Sequence, residues 1–268
     1  MNTEPEYWIN LQKEYDIDIA RKTLAGIIPA DQPIEKVLVN NPHDKLIKIV
    51  FSDRTEAEAY FKQNLPPKLV GQIDWDTLKL EGTQYIDDEL KESASDLLFS
   101  VCFKKNKDLC YLYILFEHQT TPDKWIRFRV YKYKGRIWDE SLKNEKNKEC
   151  LNPILAMVVY IGNRSWNYST EFSDLIGETT LSSDYIPKFK HFLMDHSEKN
   201  EKIKGAIKAQ IAHLLIQASF QQQLKEVEAN LCELLMQLPQ EPGINYVRVF
   251  SVYIYATQRR DVAVQFFS

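Results

Sequence analysis

Ser95-Asp96-Leu97-Leu98-Phe99-Ser100-Val101-Cys102-Phe103 and Leu109-Cys110-Tyr111-Leu112-Tyr113-Ile114-Leu115-Phe116-Glu117-His118-Gln119 are two β-type runs separated by the polar interval Lys104-Lys105-Asn106-Lys107-Asp108. Aromatic and branched side chains around a short polar gap predict an antiparallel hairpin. A four-residue loop over Lys105–Asp108 would set Lys104 against Leu109 and Asp96 directly against Glu117. Opposed side chains share one sheet face, with β-carbons about 5 Å apart. Gln119, two residues past Glu117, points the same way.

Both runs are apolar on both faces, as central strands are. A carboxylate at the edge of such a core is costly unless partnered, and two facing carboxylates repel. Two readings follow. In one, a divalent cation neutralises both acids, and oxygen donors of this kind suit Mg²⁺. In the other, the acids cap the strand ends in water beside Lys or Arg.

Outward from the hairpin, Thr121-Pro122-Asp123 reads as a helix start, with Thr121 as cap, and the helix extends to about Asn144. Pro153 to Ile161 is a continuous apolar run, the mark of a strand buried on both faces. Upstream, Asn41-Pro42-His43-Asp44 opens a helix, and a second helical stretch from Thr55 ends at Pro66-Pro67. A short helical turn follows at Lys68 to Asp74, then β-type residues over Trp75–Leu90. Beyond Glu171 the pattern is irregular, then helical over Ile203–Ala218, Phe220–Leu238 and Tyr246–Phe267. Leu214, Leu215, Leu231, Leu234, Leu235 and Leu238 read as a helix-packing core, with self-association into a homodimer as the functional option. The expected organisation is a helical extension over 1–40, an α/β core over 41–170 and an all-helical region over 171–268.

The 268 residues carry a net charge of −4, so a nucleic-acid partner would require a local positive concentration. Residues 122–148 supply it, with nine basic side chains against four acidic ones. Lys124 stands at the start, and Arg127, Tyr131 and Lys134 fall on one helical stripe that could meet DNA phosphates. The plain alternative is a solvated basic face. No stretch is long and apolar enough for a membrane span, and the acidic start lacks the features of a signal peptide. Four cysteines without paired spacing read as reduced thiols of a cytoplasmic protein. With only eight glycines, no phosphate-binding glycine loop stands out.

Ser95-Asp96-Leu97-Leu98-Phe99 followed by Leu115-Phe116-Glu117-His118-Gln119 resembles the Rpn (YhgA-like) family of recombination-promoting nucleases and transposase-like proteins. Flanking agreement comes from Pro42-His43-Asp44 with Lys48, Val50-Phe51-Ser52-Asp53, and Leu65-Pro66-Pro67 with Leu69. Tyr160-Ile161-Gly162 with Trp166 is similar to that family's Tyr-His-Gly and Trp segment, with Ile161 where histidine is usual. The resemblance runs from about residue 41 to 167 and loosely through the C-terminal helices.

The resemblance implies a restriction-endonuclease-like α/β fold of the PD-(D/E)XK type, a mixed sheet flanked by helices. It implies a metal-dependent DNA endonuclease tied to recombination or mobile DNA. Asp96, Glu117 and the backbone carbonyl of His118 would hold Mg²⁺, for which Mn²⁺ should substitute, and Asp44 or a nearby acid is a further candidate ligand. Gln119 stands where the superfamily usually has lysine, a variant this family shares, and it would position the attacking water without bringing charge. His43 reads as a capping or core histidine. The competing expectations are a nuclease fold that binds DNA without cutting it, and a protein-interaction accessory module.

Overall fold

A computed structural model of the chain describes residues 42–81, 96–117, 121–144, 149–197, 205–221, 224–238 and 246–258, together with Ala263. The expected extension over residues 1–40 lies outside them, as do Gln119 and His118.

The described elements begin with three helices, α1 (Pro42–Phe51), α2 (Arg54–Asn64) and α3 (Pro67–Gln72). Asp53 caps α2 by accepting from Thr55 N at 2.9 Å, and Leu65-Pro66-Pro67 ends it, with Pro67 in the first turn of α3. Strands β1 (Ile73–Leu80), β2 (Leu97–Phe103) and β3 (Leu109–Glu117) follow, then helix α4 (Ile126–Asn144) and strands β4 (Ile154–Tyr160) and β5 (Phe192–Asp195). Helices α5 (Ile207–Gln221), α6 (Leu224–Met236) and α7 (Tyr246–Thr257) complete the order.

The five strands form one mixed sheet in sequence order. Pairing is antiparallel between β1, β2 and β3 and parallel between β3, β4 and β5. The β1–β2 register shifts between Asp74 and Lys79. The Thr77 hydroxyl bridges that irregularity, donating to Asp74 O at 2.6 Å and accepting from Cys102 N at 2.8 Å.

Helix α4 covers one face of the sheet. Its Ile126, Val130, Tyr133 and Ile137 recur at three- and four-residue spacing and pack on Leu98, Tyr111, Tyr113, Leu115, Ala156 and Val158. The opposite face receives Phe51 against Phe116, and Phe61 of α2 against Phe99. The helix-flanked α/β architecture expected from the sequence is therefore present.

Two corrections concern α4 and β5. The helix begins at Ile126, and its entry is held by Asp123 rather than Thr121. The Asp123 carboxylate accepts from Trp125 N at 2.8 Å, and its carbonyl accepts from Ile126 N. Strand β5 is an addition to the predicted elements, and it ties residues beyond 170 into the sheet. The chain accordingly divides into two units, residues 47–206 and residues 1–46 with 207–268.

The second unit contains α5, α6 and α7, so the C-terminal region is helical as expected. Leu215 and Leu231 are buried there, whereas Leu214, Leu234, Leu235 and Leu238 are half-buried. His43 bonds the Tyr253 hydroxyl at 2.6 Å and packs on Phe220, in agreement with a core histidine. Among the described residues, no helix is long and apolar enough to cross a membrane.

Candidate active site

The site is built where β2 begins and β3 ends. Leu97 pairs with Ile114 and Cys102 with Leu109, so the hairpin register is two residues away from the predicted one. Two contacts explain the shift. Lys104 N donates to Gln72 O rather than pairing with Leu109, and Lys107 N donates to Phe103 O. Lys107 adopts a positive φ of 59° and closes the loop one residue early. A two-residue shift keeps every side chain on its original face. Asp96 and Glu117 therefore still share a face, but diagonally rather than directly opposed.

That face is the one beneath α4. Asp96 is 1% exposed and Glu117 4% exposed. Tyr113 lies on the same side of β3 as Glu117, and its hydroxyl donates to Asp96 Oδ2 at 2.8 Å. Burial, with the Asp96 charge beside it, holds the Tyr113 phenol well above its ordinary range, so it remains a donor. Arg129 reaches down from the second turn of α4, and its Nη1 donates to Glu117 Oε2 at 2.9 Å. Asp123 Oδ2 lies 3.9 Å from the same nitrogen.

Burial raises the Glu117 pKa above the usual carboxylate value, and the Arg129 charge offsets only part of that rise. Asp123 and Asp96 add to it. The result is a poorly solvated acidic pair with one guanidinium against it. Its chemistry is that of hard oxygen donors.

Parallel pairing sets Glu117 beside Tyr160, and Tyr160 beside Asp195, along the strand ends. Asp195 is committed to structure, accepting from Trp166 N at 2.8 Å and Ser197 N at 3.0 Å. Tyr160 packs edge-on against Trp166 at 5.2 Å. Ile161, at the position of the family's usual histidine, is buried and donates its N–H to Glu117 O at 2.8 Å.

Of the expected site residues, Asp96 and Glu117 come together. Asp44 is buried on the first turn of α1 and belongs to the other unit. Among the described residues, no three His, Cys, Asp or Glu side chains form a ready-made metal cluster.

The predicted phosphate-facing stripe requires correction at Arg127 and Lys134. Arg127 is 4% exposed and Lys134 9% exposed. Both lie under the crossover from β4 to β5, because that segment folds back over α4. Arg127 donates to Glu171 O at 3.0 Å, and the Lys134 ammonium sits 4.5 Å from the Phe189 ring centre. Tyr131 stacks on Phe189 and packs against Phe172. Tyr131 remains 42% exposed despite these contacts, and Lys124, also exposed, lies over Trp125.

Arg129, Tyr113 and Asp123 were not singled out from the sequence as site residues. Strand parity could have found Tyr113, four residues before Glu117. Arg129 was visible only as one of nine basic residues, because its contact depends on the rotation of α4 over the sheet.

A mixed sheet with two buried acids at the strand ends under one covering helix defines a candidate acidic active site. The chain belongs to the family described as "Putative transposase, YhgA-like", whose profile matches residues 41–243. Recombination-promoting nuclease RpnA of Escherichia coli (strain K12) is 40% identical over 144 residues, 53% of this chain and 48% of that protein. Recombination-promoting nuclease RpnD of Escherichia coli O157:H7 is 31% identical over 140 residues, 50% of this chain and 53% of that protein. Inactive recombination-promoting nuclease-like protein RpnE of Escherichia coli (strain K12) is 26% identical over 144 residues, 53% of this chain and 47% of that protein. The chain thus spans about half the length of these relatives. No solved structure matches it.

Proposed function

We propose that this chain is a metal-dependent DNA endonuclease of the PD-(D/E)XK type, acting in recombination or DNA mobility. The observation that carries the reading is the pair Asp96 and Glu117, buried on one face where the strands end. Such a pair is costly in a fold that has no use for it. The names of RpnA and RpnD support a nuclease. The name of RpnE means that kinship alone does not carry activity, so the case rests on the acids present here.

The donor set fits Mg²⁺ or Mn²⁺. Two carboxylates supply hard oxygens, and the remaining positions suit a backbone carbonyl, assigned to His118, together with water and phosphate oxygens. When bound, the ion supplies Lewis-acid stabilisation of the phosphodiester and a water of lowered pKa. The protein side of the chemistry is positional. Tyr113 fixes Asp96 through its hydroxyl, and the β3 backbone fixes Glu117. Gln119 is assigned the hydrogen bond that orients the attacking water.

DNA would meet a different side of α4 from the predicted stripe. Trp125 is 52% exposed and Phe128 48% exposed, with Lys124 and Lys132 exposed beside them. Residues 125, 128 and 132 share one helical direction. Lysines for phosphates and aromatic faces for unpaired bases form a nucleic-acid-binding combination.

The second reading is a nuclease fold that binds DNA without cutting it. The Arg129–Glu117 ion pair favours it, because it satisfies the glutamate without a metal. Supercoiled plasmid incubated with Mg²⁺, Mn²⁺, Ca²⁺ or EDTA separates the two. Nicking or linearisation that needs Mg²⁺ or Mn²⁺ and disappears in folded Asp96→Ala and Glu117→Ala supports the nuclease. Salt-sensitive binding with no cutting in any metal supports the second reading.

A further inference from the structure

Glu117 is buried almost completely, and its charge is balanced by a side chain from another element. Arg129 Nη1 stands 2.9 Å from Glu117 Oε2 and 3.9 Å from Asp123 Oδ2. The guanidinium thus bridges a buried acid and a partly exposed one. Burial works against its charge, but Glu117 first, then Asp96, Tyr133 and Tyr113, together hold the Arg129 pKa above its ordinary value. The guanidinium therefore holds the place at Glu117 that a metal ion would need. A dication and a guanidinium repel each other, so both cannot hold the same carboxylate oxygen at full strength.

We propose that Arg129 is a counter-ion that exchanges with the divalent metal at Glu117. In the metal-free protein it neutralises the buried carboxylate. With a metal held at Glu117, Arg129 would turn to Asp123 and present to the DNA phosphate the donor released from Glu117. This inference rests on the nuclease reading of the same site, and it identifies the positive charge that glutamine at position 119 does not provide. Arginine suits the role because its charge persists at all working pH values and its planar fork matches phosphate oxygens. The placement of Asp123 just before α4, with Arg129 in the second turn, provides the second resting point.

The test compares wild type, Arg129→Met and Arg129→Lys by calorimetric titration with Mn²⁺ and by steady-state plasmid cleavage. Arg129→Met should bind Mn²⁺ roughly tenfold more tightly, because a competing charge is gone. Its kcat should fall about 100-fold, as expected when one charged donor to a transition state is removed. Arg129→Lys should restore part of kcat and return Mn²⁺ affinity toward wild type. Should Arg129→Met not fold, Arg129→Gln, which keeps a donor without the charge, is read in the same two assays.

Unchanged or weaker Mn²⁺ binding in the charge-deleted variant overturns the exchange, and so does undiminished kcat. If wild type binds no Mn²⁺ and cuts nothing, the nuclease reading itself fails and takes this inference with it. A wild type that binds and cuts, with indifferent Arg129 variants, overturns the inference alone.

Discussion

Tyr113 and Asp96 are joined across two neighbouring strands by a buried hydrogen bond, phenol to carboxylate Oδ2, of 2.8 Å. Burial and the adjacent charge keep the phenol protonated, so the donor does not titrate away. This bond sets the direction of one of the two proposed metal-binding carboxylates.

Tyr113→Phe should therefore cost about 1.5–3 kcal/mol, the usual range for a hydrogen bond to a charged group. Urea unfolding should show a lower midpoint with an unchanged slope. In an Asp96→Asn background the same substitution should cost less, and a double-mutant cycle reads that coupling.

Asp96→Asn replaces one of two buried like charges with a neutral amide of the same shape. The metal-free protein should keep or raise its melting temperature, while metal-dependent cleavage is lost. Calorimetry in EDTA checks the first half. A fall of several degrees would mean that the carboxylate is there for the fold rather than for chemistry.

The exposed and buried basic residues of α4 and of its entry should separate cleanly. Lys124→Ala and Lys132→Ala should each reduce the slope of log affinity for DNA against log salt by about one, with stability changed by less than about 0.5 kcal/mol. Arg127→Ala breaks the bond to Glu171 O and should cost about 2 kcal/mol of stability, leaving that salt slope intact. Equal salt slopes for all three variants and wild type would place the DNA elsewhere.

His191 provides an acid-sensitive element away from the carboxylates. Burial first, then the charges of Arg127 and Lys134, bring its pKa down to about 4. Its folded pKa lies below the unfolded one, so the unfolded chain takes the proton first as pH falls. The stability of the neutral state is intact above the unfolded pKa near 6.5. It is lost progressively toward pH 4, by on the order of 3 kcal/mol. His191→Asn should flatten that pH dependence in denaturant titrations between pH 7 and 4, and an unaltered profile would contradict the assignment.

The sequence carried the hairpin, α4 and β4 plainly, because alternation, helical spacing and an unbroken apolar run are local signals. The register was not local. Lys104 is held by Gln72, the last residue of α3, and Lys107 closes the loop in a left-handed conformation that a sequence pattern does not announce. Strand β5 escaped because Phe192–Asp195 is four half-buried residues that become a strand only by pairing with β4. Helical spacing alone puts Arg127 and Lys134 on a stripe open to phosphates, where basic residues usually lie. The crossover that buries them has no periodicity to reveal it. Strand parity alone brought Asp96 and Glu117 together, and it survived the register error because the shift was even. The Arg129 contact depends on how α4 is rotated over the sheet, which residue spacing within α4 leaves open.

Mn²⁺ binding followed by electron paramagnetic resonance tests the central claim most directly, using folded wild type, Asp96→Asn and Glu117→Gln. The account predicts a site in wild type that both substitutions abolish or weaken at least tenfold, in parallel with their loss of plasmid cleavage. Equal Mn²⁺ binding by all three proteins, or undiminished cleavage by either variant, would contradict it.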